Sequence, residues 1–363
     1  MQAMLKTRES NFELLRIFAM FCVIVHHSLF ETNNIGYNDS YNIGNNGIIA
    51  VFFNSCAIIG VNLFILISGY FSCKTPIKNI GKLLIEIICI TIVSYLIGGI
   101  INQKFELLDL IKLIKWEILH NWFIVSYIML LFSLPLIEPA LASSLTIHKE
   151  IKTNLFKYRL KLSYLDVVFI CSSILTFFYG FILGILNTDG YNVLNFLYIY
   201  VCGRWIRKNI NRFQNIKISN FILIYIIISV LLTIYYISIF NNSGTENDSF
   251  KTMRYFGYNN PLIIFSACTI FCFFSRLKLK SSLTNKMATA VFGVFIIQGI
   301  PSIAETWRFY ARLIFENYSY IGLIFYDIIL YLICLTMSYS IKKSLVLPII
   351  NKYINTINHV FKL

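Results

Sequence analysis

The length of its apolar runs constrains this chain more than any other feature: Gly47 to Cys73 and Ile218 to Phe240 contain no Asp, Glu, Lys or Arg. About 20 such residues cross the hydrocarbon layer of a bilayer, whereas a surface helix of a soluble domain keeps a polar face. Hydrophobic residues make up 57% of the 363 positions and charged residues 13%, against roughly a quarter charged in a soluble domain. A water-soluble surface cannot be built from that mixture. The expected fold class is an all-α integral membrane protein.

Polar breaks between the runs predict about ten transmembrane helices, centred near Phe21, Ile59, Ile92, Leu130, Leu175, Ile199, Ile228, Phe265, Phe295 and Ile329. With no long linker or repeat, residues 1–363 read as a single membrane domain with no appended soluble domain. The first run lacks a small-residue cleavage site before Glu31, unlike a cleaved signal peptide. The nine cysteines all lie in apolar runs, so neither a disulfide framework nor a metal site is indicated.

Basic residues orient the spans, because Lys and Arg stay on the cytoplasmic side. With the N-terminus inside, 23 of them fall in inner segments and seven in outer ones, with Arg16 inside the first span. Both termini are therefore expected in the cytoplasm of a multi-pass protein, with a bacterial cytoplasmic membrane as the expected location. The net charge of +14 follows these short inner segments, so no nucleic-acid partner is expected. The outer loops Glu31 to Asn46 and Asn241 to Asn260 are rich in Asn, Ser, Gly and Tyr. They suit contact with a sugar, or are ordinary solvated connections.

The first span carries Glu13, Arg16, His26 and His27. Ionisable groups inside a span cost roughly 2.5–3.5 kcal/mol each, so they normally face protein or water. At about 100° per residue, Arg16 and His27 return to within roughly 20° of each other and about 16 Å apart along the axis, while His26 points roughly 80° away. His27 is thus the better candidate to share a polar channel with Glu13 and Arg16. The plainer alternative is a Glu13–Arg16 salt bridge near the inner surface, with both histidines at the outer interface.

The second span reads Gly60-Val61-Asn62-Leu63-Phe64-Ile65-Leu66-Ile67-Ser68-Gly69-Tyr70-Phe71. Together with the Arg, ten intervening residues and His of the first span, it resembles the acyltransferase-3 family, membrane enzymes that O-acylate surface polysaccharides and lipid-linked sugars. The resemblance continues through Trp122-Phe123 and Phe292 to Ile297. It implies that His27 fills the position of the family's essential His and Arg16 that of its paired Arg, with Glu13 beside them. A sugar hydroxyl needs a base to accept its proton, which neutral imidazole can do. Arg16 would steady the thioester carbonyl or a CoA phosphate.

The implied donor is cytoplasmic acetyl-CoA or another acyl-CoA, used as substrate with no bound cofactor. The implied acceptor is an envelope glycan or lipid-linked sugar, reached in this chain or through a separate extracytoplasmic acyltransferase partner. Two departures stand out: the loop after the second span carries Lys74, Lys78 and Lys82 where the family often has Arg, and Gln298 stands where many members have His. Lys78 and Lys82 are candidates for acyl-CoA binding, as are Arg204 and Arg207, though topology alone also accounts for all four. Trp122 is a candidate acceptor-stacking residue or an aromatic-belt anchor. His26, Asn62 and Asp327 are candidates for the surrounding polar network, Asp327 by orienting a His or pairing with Arg16. A transporter or flippase for lipid-linked sugars, or a structural subunit, would share the many spans and inner positive loops, but not the Arg–His spacing followed by Gly60 to Phe71.

The charge distribution makes a direct prediction: reporter fusions after Lys161 and Lys217 report cytoplasm, and one at Asn242 reports the outside. Opposite signals would require the spans to be redrawn.

Overall fold

A bilayer offers no water to backbone N–H and C=O groups, so a spanning segment must satisfy them internally, which a helix does. The computed structural model describes residues 8–33, 45–72, 76–103, 105–143, 146–152, 157–185, 189–242 and 256–360, and is almost wholly helical. The helices are α1 (Ser10–Asn33), α2 (Asn45–Ala57), α3 (Gly60–Phe71), α4 (Pro76–Asn102), α5 (Leu107–Leu119) and α6 (Trp122–Leu141). A two-stranded antiparallel hairpin, β1 (Thr146–Lys152) and β2 (Lys157–Ser163), precedes α7 (Tyr164–Ile174). Then follow α8 (Val193–Phe213), α9 (Ile218–Asn242), α10 (Pro261–Ser275), α11 (Ser282–Ala288), α12 (Val291–Gly299), α13 (Pro301–Ile341) and α14 (Leu347–Val360).

Among the described residues, seven helical segments are long and apolar enough to cross a membrane: Ser10–Phe30, Gly47–Phe71, Lys78–Ile101, Trp122–Leu141, Tyr164–Ile182, Ile218–Ser238 and Pro301–Thr356. This is fewer than the ten expected, and the reasons are local. Helix α8 carries Arg204, Arg207, Lys208 and Arg212 in its second half. Helix α10 has 15 residues, or about 22 Å at the α-helical rise, against a core of about 30 Å. The run around Phe295 is cut at Ile300, which is extended (φ −63°, ψ 121°), and Pro301 starts the next helix. A proline disfavours helical geometry in the residue before it and is well suited to a first turn. The run from Gly47 is likewise interrupted by a turn at Ile58 and Ile59, and α13 is kinked at Ser319. The Asn-rich outer loops fall largely outside the described residues.

Helix α1 is held centrally. At its start, Ser10 Oγ accepts from Ser281 N at 3.0 Å and Asn11 Nδ2 donates to Phe274 O at 3.1 Å. Along its length it meets α3, where a Cβ on Gly60 would stand 2.7 Å from the Ala19 carbonyl oxygen. Helix α3 in turn meets α8, where a Cβ on Gly203 would stand 2.8 Å from the Tyr70 nitrogen. Small residues at such crossings let backbones touch, which is how helices associate in lipid.

Gly203→Ala should therefore destabilise the protein by about 1–3 kcal/mol through overpacking. Gly299→Ala, where an added Cβ meets nothing within 4 Å, should change stability by less than about 0.5 kcal/mol. Thermal melting of the two purified variants in detergent checks the contrast, and equal melting points would show that the α3–α8 contact tolerates a side chain.

Candidate active site

Glu13, Arg16, Met20 and Val23 recur at helical spacing on one face of α1 and line a cavity of about 590 Å³. Helix α3 contributes Val61, Phe64 and Ser68, and α4 contributes Leu83 and Glu86. Phe123 and Tyr127 of α6 and Val291, Phe292 and Phe295 of α12 complete the apolar wall. Such a volume suits an elongated organic ligand.

One end of the cavity is charged. Arg16 Nη1 donates to Glu13 Oε1 at 2.6 Å, and Arg8 stands 4.0 Å from the other Glu13 oxygen. Lys342, just past α13, donates to Glu86 Oε1 at 2.5 Å and to the Thr289 carbonyl at 2.6 Å. Three cations thus meet two carboxylates, leaving a positive excess at a mouth where the Arg8 side chain is 52% exposed. The ion pair anticipated as the plainer reading is present, and it forms part of the cavity wall.

The other end is apolar and leads toward the histidines. His27 lies one helical turn beyond Val23, continuing the stripe of Arg16, Met20 and Val23, although it is outside the cavity lining itself. Its ring is approached by the side chain of Gln298, the penultimate residue of α12, and lies within electrostatic reach of Arg308. His26 faces elsewhere: its Nδ1 is 2.6 Å from Asn54 Oδ1 on α2. The two adjacent rings are therefore held by different helices.

The remaining candidates are dispersed. Asn62 turns away from the cavity and donates to the Tyr258 carbonyl at 3.0 Å. Asp327 is 1% exposed and accepts from Ser28 Oγ at 3.1 Å, while the close carboxylate partner of Arg16 is Glu13. Arg204 lies 3.5 Å from Glu138, and the Arg207 guanidinium sits over the Tyr70 ring at 4.6 Å. Neither arginine reaches the cavity wall. Lys82 lies one turn before Glu86 on α4, and Lys78 one turn earlier still. Trp122 packs against Tyr191 at 4.5 Å and stacks on Tyr258 at 5.4 Å. Phe123, in contact with Phe295 at 5.1 Å, separates this aromatic group from the cavity. Among the described residues, no three His, Cys, Asp or Glu side chains converge as metal ligands would.

Sequence reasoning did not single out Arg8, Glu86, Lys342 or Tyr127. Glu86 carried a readable signal, since a carboxylate inside an apolar run needs a partner just as Glu13 does. Its partner, Lys342, lies at the far end of the chain and has no local signature.

These features define a multi-pass helical membrane protein with a cavity that grades from charged to apolar beside half-buried histidines. The chain belongs to the acyltransferase-3 family: the family model, described as an acyltransferase domain, matches residues 9–350. No curated protein and no solved structure matches it.

On the opposite side of Phe123, the N-terminus of α6 depends on a buried carboxyl. Asn121 caps the helix, its Oδ1 accepting from Ile124 N at 3.4 Å, and its Nδ2 donates to Glu117 Oε2 at 2.9 Å. Burial pushes the Glu117 carboxyl up from 4.5 to about 7, and the Asn121 bond only partly opposes this. Because the folded value lies above the unfolded one, the folded protein holds a proton that the unfolded chain has released between those two values. Stability should therefore fall as pH rises from 4.5 to about 7 and level off above it. Glu117→Gln should flatten this contribution, as read from melting points across that range in detergent. A variant with the same pH slope as the parent would remove Glu117 as its cause.

Proposed function

We propose that the chain is an O-acyltransferase that takes an acyl group, acetyl in the simplest case, from cytoplasmic acyl-CoA and transfers it to a hydroxyl of an envelope polysaccharide or lipid-linked sugar. The observation that carries this reading is the cavity of about 590 Å³ whose charged mouth and apolar interior follow the Arg16, Met20 and Val23 stripe toward His27. An acyl-CoA has the matching polarity, with anionic phosphates at one end and an uncharged pantetheine arm leading to the thioester. The positive excess of Arg8, Arg16 and Lys342 suits the phosphates. Phe64, Phe292 and Phe295 suit the arm.

This arrangement divides the two roles considered for Arg16. Arg16 and His27 are eleven helical positions apart, about 16 Å of rise, too far for both to act on one carbonyl. Arg16 therefore serves the phosphate end, and His27 accepts the proton of the attacking hydroxyl. Glu13 holds Arg16 in place. Lys78 and Lys82, in the first turns of α4, extend the cationic approach to the mouth, and Trp122 with Tyr191 and Tyr258 offers stacking surface to an acceptor on the other side of Phe123. Ten spans follow if α8 and α10 are each counted as one crossing and the α12–α13 run is counted as two, divided at the Ser319 kink. Both termini, and the mouth of the cavity, then belong to the cytoplasm.

Purified protein should release CoA from acetyl-CoA in the presence of an acceptor, and very slowly by hydrolysis without one. His27→Ala should lower the rate roughly 10²–10⁴-fold, with expression and membrane insertion intact, whereas His26→Ala should retain substantial activity. Arg16→Lys, which keeps the charge but loses the planar fork, should raise KM for acetyl-CoA more than it lowers kcat. A fully active His27→Ala beside a dead His26→Ala would overturn the assignment. Translocation of a sugar lipid without thioester consumption would overturn the enzyme reading.

A further inference from the structure

Acyl transfer needs a hydrogen-bond donor at the carbonyl oxygen as well as a base, and Arg16 is too far from His27 to supply it. The cavity-lining residues of α12, Val291 and Phe295, are spaced by one turn, and the next position of that stripe is Gln298. The stripe of α1 continues in the same way to His27. Two helices thus carry the wall of the cavity onto one pair of side chains, just beyond its apolar end.

Gln298 is 2% exposed, and neither Oε1 nor Nε2 completes a hydrogen bond, although the side chain approaches the His27 ring. A buried amide with both ends unsatisfied is uncommon, because its desolvation is then uncompensated. Its backbone, by contrast, is firmly fixed. The helix break at Ile300 frees the Gln298 carbonyl, which accepts from Trp307 Nε1 at 3.0 Å, and Tyr326 Oη donates to the Trp307 carbonyl at 2.8 Å. Arg308, within electrostatic reach of His27, has its guanidinium over the Trp307 ring at 5.6 Å. Beside the break, Gly299 is exposed and has open space where a Cβ would be. Interrupted helices within a membrane line binding sites, where their irregular backbone faces protein or a cavity.

We propose that Gln298 is a catalytic residue whose Nε2 donates a hydrogen bond to the thioester carbonyl oxygen as it becomes an oxyanion. This rests on the acyltransferase reading above and adds the second half of its chemistry. The acceptor oxygen bonds to the carbonyl carbon while its proton passes to His27. The tetrahedral oxyanion is held by Gln298, the carbon–sulfur bond then breaks, and His27 returns the proton to the departing thiolate, giving ester and free CoA. Oε1 is left to accept from the imidazole N–H. As a neutral donor, the amide adds no second cation beside a base that must itself take up a proton.

Gln298→Met and Gln298→Glu test this in the full chain, purified in detergent. The probes are acetyl-CoA and a total lipid extract of membranes that carry the chain, with CoA release as the readout. Gln298→Met removes the donor and fills the same space, so kcat should fall about 10²–10³-fold while KM for acetyl-CoA changes little. Its melting point should equal or exceed that of the parent, because an unsatisfied amide has been removed; a merely structural role would lower the melting point. Gln298→Glu keeps an acceptor toward His27 but loses the donor, and should be at least as impaired. Parental kcat in either variant overturns the role of Gln298 alone. A parent chain that releases no CoA, with the extract or by slow hydrolysis, overturns the acyltransferase reading and this inference with it.

Discussion

Apolar surfaces gain little by leaving lipid for one another, so helices inside a bilayer must associate by close fit rather than by exclusion of water. The dependence of this fold on that constraint is visible in the backbone contacts at Gly60 against α1 and at Gly203 against α3 and its Tyr70. Those contacts fix α1, α3 and α8 relative to one another, and α1 carries the ionisable groups. The glycine opening the second-span motif is therefore a packing device, placed so that the helix beside it presents Val61, Phe64 and Ser68 to the cavity.

Charge within the membrane region is handled by pairing. Glu13 is shared between Arg16 and Arg8, and Glu86 is held by Lys342. Removing one member of a buried pair leaves an uncompensated charge, at a cost of roughly 3–5 kcal/mol. The mouth of the cavity is thus a structural joint, in which Glu13 holds Arg16 and Arg8 and Glu86 ties α4 to the end of α13. The acyl-CoA proposed above would have to compete with those carboxylates for Arg16 or Lys342, so its binding would exchange partners and not fill a vacancy.

The helical character of the chain was legible because apolar length is a one-dimensional property. So was the stripe of Glu13 and Arg16, since the period of an α-helix is fixed. The different facing of His26 and His27 follows from the same period, and their distinct neighbours, Asn54 and Gln298, agree with it. What could not be read is pairing across the bundle. Nothing near Glu86 announces Lys342, and nothing near Asn62 announces the Tyr258 carbonyl that it meets. The Pro301 break carries a readable helix-stop signal, but a span centred near Phe295 rests on apolar length alone.

Phe123 and Phe295, whose ring centroids are 5.1 Å apart, both line the cavity, and Phe123 adjoins Trp122. A void of this size in a membrane protein would be a leak for protons and small ions if it were open at both ends. Two rings with no hydrogen bond between them can part by side-chain rotation alone, so the acceptor proposed above could take the place of one ring without admitting water. Under the proposed function, the molecule would in that way remain an electrical insulator while its two substrates touch.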